Sequence, residues 1–265
     1  MRKDPDSFGL DKRLDQFDKR LEEMGVRIKD ANDLKVREDV FDEVTLVSLY
    51  KLVHKKWISV LGGSISTGKE ANVFYGERSG SGIAIKIYRI RTANFTTMSS
   101  YIAGDRRFAR VKNSKKELVF AWTRKEFSNL VRAREAGISV PEPLVWYRNI
   151  LVMSFIGDRE VPYPQIRNAD IGDPAKVYSA ILEDIGTLYN KAGLVHGDLS
   201  EFNILYGDRH YFIDMGQSVT RDHPRAQFFL LRDIKNINRF FKQRCTVRED
   251  LDAFYAITGL STAEP

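Results

Sequence analysis

Cysteine is almost absent from this chain of 265 residues. The single thiol, Cys245, has no disulfide partner and cannot build a cysteine metal cluster. Its plain reading is a small hydrophobe near the end of a helix. Long apolar runs are also missing, since none approaches the roughly 18 residues that span a bilayer, and no membrane partner is expected. The start, Met1-Arg-Lys-Asp-Pro-Asp6, is too charged to read as a signal peptide, so the expected compartment is cytoplasmic. Internal repeats and low-complexity stretches are lacking. What remains is 43% hydrophobic and 29% charged, the balance of a globular protein of one or two domains rather than a disordered or fibrous one.

The net charge of +6 is unevenly spread. Residues 86–134 carry 13 basic and 3 acidic side chains, and residues 221–248 carry 8 and 2, so the remainder is net negative by 10. Such asymmetry points to an anionic partner such as nucleic acid, nucleotide or phosphoprotein. A solvated Lys/Arg-rich face would show the same composition.

Leu10, Leu14, Phe17, Leu21 and Met24 recur at helical spacing and predict an amphipathic helix, too short for a stable coiled coil. A second helix is expected over about 38–54. The texture then changes. Ala71, Val73 and Tyr75 alternate, a Glu77-Arg-Ser-Gly-Ser-Gly turn follows, and Ile83, Ile85 and Ile87 alternate again, which predicts a β-hairpin. Helices are expected over about 114–136, 174–190 and 224–242, and a buried strand within 149–157. Strands early and helices late predict an α+β fold with two lobes, joined just after Gly157.

Four motifs carry chemistry. Gly63-Ser-Ile-Ser-Thr-Gly-Lys-Glu70 nearly fits a Walker A loop, but Glu70 stands where a hydroxyl should bind Mg²⁺, and a strand pattern follows where a helix should begin. A turn between strands can still cover phosphates with backbone N–H groups; an ordinary hairpin turn would look the same. Lys86 is an isolated cation in a hydrophobic strand, expected to meet a carboxylate or an anionic ligand unless it snorkels from an edge strand. His196-Gly-Asp-Leu-Ser-Glu-Phe-Asn203 matches the pattern His-x-Asp-Leu-x-x-x-Asn, in which a carboxylate orients an attacking hydroxyl and an amide oxygen chelates a hard cation. Tyr211-Phe-Ile-Asp-Met-Gly216 ends an apolar strand in a carboxylate and a glycine, similar to Asp-Phe-Gly with Met215 in place of Phe.

Together Ser66-Thr-Gly-Lys-Glu-Ala-Asn-Val73, Ile85-Lys-Ile-Tyr-Arg89, His196 to Asn203 and Ile213-Asp-Met-Gly-Gln-Ser218 resemble the RIO family of atypical serine/threonine protein kinases, and the Ser-Thr-Gly-Lys-Glu-Ala loop resembles its type-1 branch. The resemblance, over about residues 38–244, implies a two-lobed protein-kinase-like fold. Its expected parts are an N-terminal helical extension (1–58), a β-rich N-lobe (59–157) and a mostly helical, truncated C-lobe (158–265). It further implies ATP and Mg²⁺ as cofactors, with Mn²⁺ as a substitute. Ser66, Thr67, Gly68, Lys69, Glu70, Ala71, Asn72 and Val73 would cover the phosphates. Lys86 would hold the α/β-phosphates, paired with Glu126. Met153, Ser154 and Ile156 would line the adenine pocket. Asp198 would be the catalytic base, Asn203 and Asp214 the metal ligands, and Asp214 also a candidate phospho-acceptor. Gly197 stands where that family commonly has alanine, and Ser154 where it has an acidic hinge residue.

The family also implies a role in small ribosomal subunit maturation, with the pre-ribosomal small subunit, its rRNA or its proteins as partners. A nucleotide-switched RNA-binding module and a small-molecule kinase of aminoglycoside-phosphotransferase type are the alternatives. Only 51 residues follow Asp214, without an Ala-Pro-Glu motif, which leaves no room for an activation segment or a peptide-binding lobe. The basic stretch between Lys86 and Glu126 is therefore the expected source of substrate choice and of an autophosphorylation site, Ser114 first. Phosphopeptide mapping after incubation with ATP should find label between residues 92 and 116, and label confined elsewhere would overturn that assignment.

Overall fold

A computed structural model of the chain describes residues 42–90, 95–108 and 114–260, with Lys19, Arg27 and Ile28. The amphipathic segment from Leu10 to Met24 and the start of the second expected helix lie outside the described residues. The chain divides into two compact units, Met1–Asn94 with Leu144–Phe155, and Phe95–Pro143 with Ile156–Pro265.

The first unit is built on a six-stranded sheet. Its strands are β1 (Arg27–Ile28), β2 (Val60–Thr67), β3 (Ala71–Arg78), β4 (Ser81–Tyr88), β5 (Pro143–Tyr147) and β6 (Ile150–Ser154), in the order β1-β2-β3-β4-β6-β5. The expected hairpin is β3–β4, with Val73 opposite Lys86 and Phe74 opposite Ile85. Helix α1 (Glu43–His54) starts at Asp42, whose carboxylate accepts the Thr45 N–H at 2.8 Å. Leu49, Leu52 and Val53 of α1 join Phe74, Ile85, Ile87 and Val152 in one apolar core. Residues 43–54, which the expected boundaries place in a separate extension, thus help to build this unit.

Asn149 ties that core together. Fully buried in the turn before β6, its Nδ2 donates to Thr45 Oγ1 at 2.8 Å and to the Tyr88 carbonyl at 2.9 Å. One side chain thereby links α1 to the end of β4.

The second unit is mainly helical. It contains α2 (Phe95–Ala103), α3 (Lys115–Glu135), α4 (Pro174–Asn190), α5 (Ala226–Phe241) and α6 (Asp250–Thr258). Between β6 and α4 lies the short hairpin of β7 (Gly157–Asp158) and β8 (Val161–Pro162). Between α4 and α5 come β9 (Leu194–Val195), β10 (Ile204–Tyr206), β11 (His210–Phe212) and β12 (Val219–Thr220), paired as β10–β11 and β9–β12. Ser114 is exposed and caps α3, its Oγ accepting the Glu117 N–H at 3.3 Å. Proline at the first turn and Asp173 at the cap start α4 where the sequence places it. Cys245, partly exposed, follows the end of α5.

Helix α3 falls within residues 59–157 yet groups with this second unit. The physical reason lies in its buried polar face: Lys125 and Asn129 bond to carbonyls of residues 215–218. None of the described helices is long and apolar enough to cross a membrane.

Replacing Asn149 by alanine should leave Thr45 Oγ1 and the Tyr88 carbonyl without their shared donor, at a cost of about 1–3 kcal/mol. The urea unfolding midpoint should fall accordingly, and an unchanged midpoint would show that the link contributes nothing.

Candidate active site

In the second unit, a hairpin register creates the site. Ile204 pairs with Phe212 in β10–β11, so the residues just outside, Asn203 and Ile213, also face each other, and Ile213 N–H donates to the Asn203 carbonyl at 3.0 Å. Asn203 ends the loop that leaves β9, and Asp214 begins the turn that leaves β11. Eleven residues apart in sequence, they flank one hairpin.

Asp198 sits within that loop, partly buried. Asn203 Nδ2 donates to its backbone carbonyl at 2.7 Å and to its Oδ2 at 3.3 Å, and Gln217 Nε2 reaches the same Oδ2 at 3.1 Å. Burial, and then the negative charge of Asp214, push the Asp198 carboxyl above the usual carboxylate range; Arg232 and Asn203 pull the other way. Two carboxylates close enough for one to raise the other's proton affinity, beside an amide that turns its Nδ2 toward Asp198, form a set of hard oxygen donors suited to Mg²⁺.

Asp214 adopts the left-handed conformation, φ 64° and ψ 53°, at the head of a 3₁₀ turn, Met215–Gln217. Aspartate tolerates this region better than most residues, but the geometry is uncommon and marks a constrained position. Helix α3 supplies the constraint. The fully buried Lys125 donates through Nζ to the Gly216 carbonyl at 2.8 Å and to the Ser218 carbonyl at 2.5 Å. One helical turn later, Asn129 Nδ2 donates to the carbonyls of Met215 and Ser218 at 2.9 and 3.0 Å. Burial lowers the Lys125 ammonium to about 7.

Helix α5 holds the other loop. Asp233, fully buried, accepts the Gly197 N–H at 2.8 Å and the Leu199 N–H at 2.9 Å, gripping the backbone on both sides of Asp198. Arg232 donates to the Gly197 carbonyl. Burial raises the Asp233 carboxyl to about 7, against the pull of the two backbone donors. Gly197 has φ +80°, and a Cβ there would stand 2.9 Å from the Gln217 carbonyl. Glycine therefore suits this position, because any side chain would push on the segment that carries Gln217 against Asp198.

The first unit carries most of the remaining expected residues. Lys86 lies on β4, between β3 and β6, and only 6% of it is exposed. An edge-strand, snorkelling lysine is thereby excluded. Met153 and Ser154 sit on β6, opposite Ala84 and Ile83. Residues 66–73 form the β2–β3 turn, closed by the Gly68 N–H bonding to the Ala71 carbonyl at 3.0 Å. A strand follows the turn, so the phosphate-cradling helix of a Walker A loop is absent here. Ser66, Thr67, Gly68 and Lys69 are exposed, Glu70, Ala71 and Val73 partly so. Asn72 is buried, its Oδ1 accepting from Arg89 Nε and Nη2 at 3.0 and 2.8 Å, which pins the turn to the end of β4. Glu126, buried beside Lys125 on α3, and Ile156 belong to the second unit.

Sequence reading missed Lys125, Asn129, Arg232, Asp233 and Gln217. For Asp233 a signal existed: a carboxylate between Phe229-Leu230 and Ile234-Ile237 falls on the apolar face of an amphipathic helix, where it must have partners.

Residues 72–254 match the sequence family described as the RIO domain. The chain is 41% identical to the RIO-type serine/threonine-protein kinase Rio1 of Haloferax volcanii over 246 residues, 91% of this chain and 84% of that one. It is 40% identical to the human serine/threonine-protein kinase RIO1 over 233 residues, 84% of this chain and 41% of that one. Among solved structures, the Rio2 kinase–ADP/Mg²⁺–phosphoaspartate complex from Chaetomium thermophilum is similar at 28% identity and a TM-score of 0.62, covering 83% of this chain and 67% of that one. These likenesses support a kinase with an α+β, kinase-like fold.

The Asp233 carboxyl, at about 7 when folded against about 3.9 in an unfolded chain, keeps its proton on folding where the unfolded chain has lost it. Its contribution to stability is full below about pH 4 and is lost as pH rises through 7. Asp233→Asn offers one acceptor oxygen to two backbone donors. It should cost about 1–3 kcal/mol and flatten part of the fall in urea midpoint between pH 5 and 7.5. An unaltered slope would show that Asp233 does not titrate in this window.

Proposed function

Because this chain belongs to the RIO-domain family, we propose that it is an Mg²⁺/ATP-dependent serine/threonine kinase and ATPase that phosphorylates itself and acts in small ribosomal subunit maturation. The observation that carries the phosphoryl-transfer reading is the loop pair around the β10–β11 hairpin. It sets Asp198, Asn203 and Asp214 together and anchors them from behind through Asp233, Lys125 and Asn129.

In this reading Asn203 and Asp214 would hold Mg²⁺, with Mn²⁺ as a substitute, which would supply positive charge against the nucleotide phosphates. The protein's own work is positioning and electrostatics. Lys86, fixed on a central strand, holds the α/β-phosphates, and Glu126 orients it. The β2–β3 turn offers backbone N–H groups to the phosphates, while Met153, Ser154 and Ile156 receive the adenine. Asp198 accepts the proton of the attacking hydroxyl or water. Its raised proton affinity suits a group that must take up a proton during transfer, and Gln217 and Asn203 keep its Oδ2 oriented. Asp214 is the candidate phospho-acceptor, a role in keeping with the phosphoaspartate found with ADP and Mg²⁺ in the Rio2 kinase of Chaetomium thermophilum.

The ribosomal role rests on what the family resemblance implies and on the two basic segments, which suit an anionic particle. The RNA-binding alternative differs in one measurable respect, because it needs no chemistry. In a single-turnover assay with radiolabelled ATP, Asp198→Ala and Asp214→Ala should each lower phosphate release at least about 10²-fold. Undiminished release from both would remove the catalytic assignments, and absence of release from the wild type would favour the binding module.

A further inference from the structure

Three arginines converge in the second unit away from Asp198, outside the phosphoryl-transfer machinery. Arg107 follows α2, Arg132 lies on α3, and Arg221 follows β12. Together with Asp105, Asp222 and Gly193 they line a cavity of about 360 Å³. Three guanidinium groups and two carboxylates line it, and Glu135 on α3 is a third carboxylate acting on Arg132. Burial and the proximity of Arg107 also make Arg132 easier to deprotonate than a free arginine, although Asp105, Asp222 and Glu135 oppose that effect.

Arg107 is the most constrained of the three. The fully buried Asp105 accepts its Nε at 2.9 Å and its Nη2 at 2.7 Å, and also caps its backbone N–H at 3.0 Å. The same Nη2 donates to Asn129 Oδ1 at 2.9 Å. The remaining nitrogen, Nη1, is buried and has no hydrogen-bond partner among the described residues. Leaving a charged donor without a partner is costly. Gly193 shapes the opposite wall. Its φ is +62°, a Cβ there would stand 3.1 Å from Arg132 Nη2, and its carbonyl accepts the Arg221 N–H at 2.9 Å. Glycine thus lets Arg132 lie against the backbone that also holds Arg221 in place.

We propose that Arg107, Arg132 and Arg221 form a binding site for a phosphate dianion, supplied as phosphoserine or as free phosphate. Guanidinium forks match phosphate oxygens in pairs, and three guanidinium groups line this one small cavity, with Asp105 already holding the Arg107 fork. The site is also wired to the metal-binding turn. Arg107 bonds to Asn129, and Asn129 bonds to the carbonyls of Met215 and Ser218 just past Asp214. An anion that fixes Arg107 therefore also fixes Asn129 behind that turn. Only this coupling rests on the kinase reading; the binding itself does not.

Calorimetry on the full chain, with a non-hydrolysable ATP analogue and Mg²⁺ present throughout, tests the site with inorganic phosphate and with O-phospho-L-serine. The wild type should bind at least one of them with one-to-one stoichiometry. Arg132→Gln/Arg221→Gln should bind about tenfold or more weakly while keeping basal autophosphorylation. Because the double variant removes charge from a partly buried pair, the exposed Arg221→Gln alone serves as a second test, with a smaller loss in the same direction. Tighter binding of phosphoserine assigns a phosphorylated side chain as the ligand, and tighter binding of inorganic phosphate assigns the free anion. Absence of binding to the wild type, or equal binding by wild type and both variants, would overturn the proposal.

Discussion

Asp233 has no access to water, yet its two oxygens hold the backbone N–H groups of Gly197 and Leu199. Asp198 lies between those two residues, so its position is set by a group buried under it rather than by its own side chain. A loop that carried Asp198 on surface contacts alone would fray, because loops are the first elements to open locally. Here an opening must break two bonds to a buried carboxyl and the Arg232 bond to the Gly197 carbonyl. Burying that carboxyl is costly, as its raised proton affinity shows. The structure sustains that cost beneath Asp198, the proposed catalytic base.

A second buried polar cluster repeats this logic with the sign reversed. Lys125 and Asn129 grip the carbonyls of residues 215–218, and so hold the turn whose first residue, Asp214, sits in a left-handed conformation. A cation faces carbonyls in one cluster, and a carboxylate faces N–H groups in the other. The β10–β11 hairpin joins the two, since its register puts Asn203 opposite Ile213. The two loops are therefore held from α3 and α5 and spaced by a hairpin.

Much of this was legible in the sequence where local physics decides the outcome. The β3–β4 hairpin follows from strict alternation and a glycine-rich turn. Helix α4 starts at its Asp-Pro cap, and α3 runs from Ser114 to the Gly137 break. The motif around Asp198 and Asn203 was visible because its spacing is itself the chemistry. Other features were not legible. Lys86 was ambiguous because strand order, not strand sequence, separates a central position from an edge. Lys125 was hidden beside Glu126 because charged pairs on helices usually lie in solvent, and nothing local says that this one is fully buried.

The sequence by itself determined the element types, the four motifs, the family resemblance and the uneven distribution of charge. Each of these depends on residues near one another along the chain. Tertiary structure alone decided which charges are buried and what they hold. It placed Asp233 under the Asp198 loop, Lys125 behind the Asp214 turn, and three arginines around one cavity. The physical reason is that the energetics of a charged group depend on what replaces its water. For Asp233 and Gly197, 36 residues apart, only the packed chain supplies that replacement.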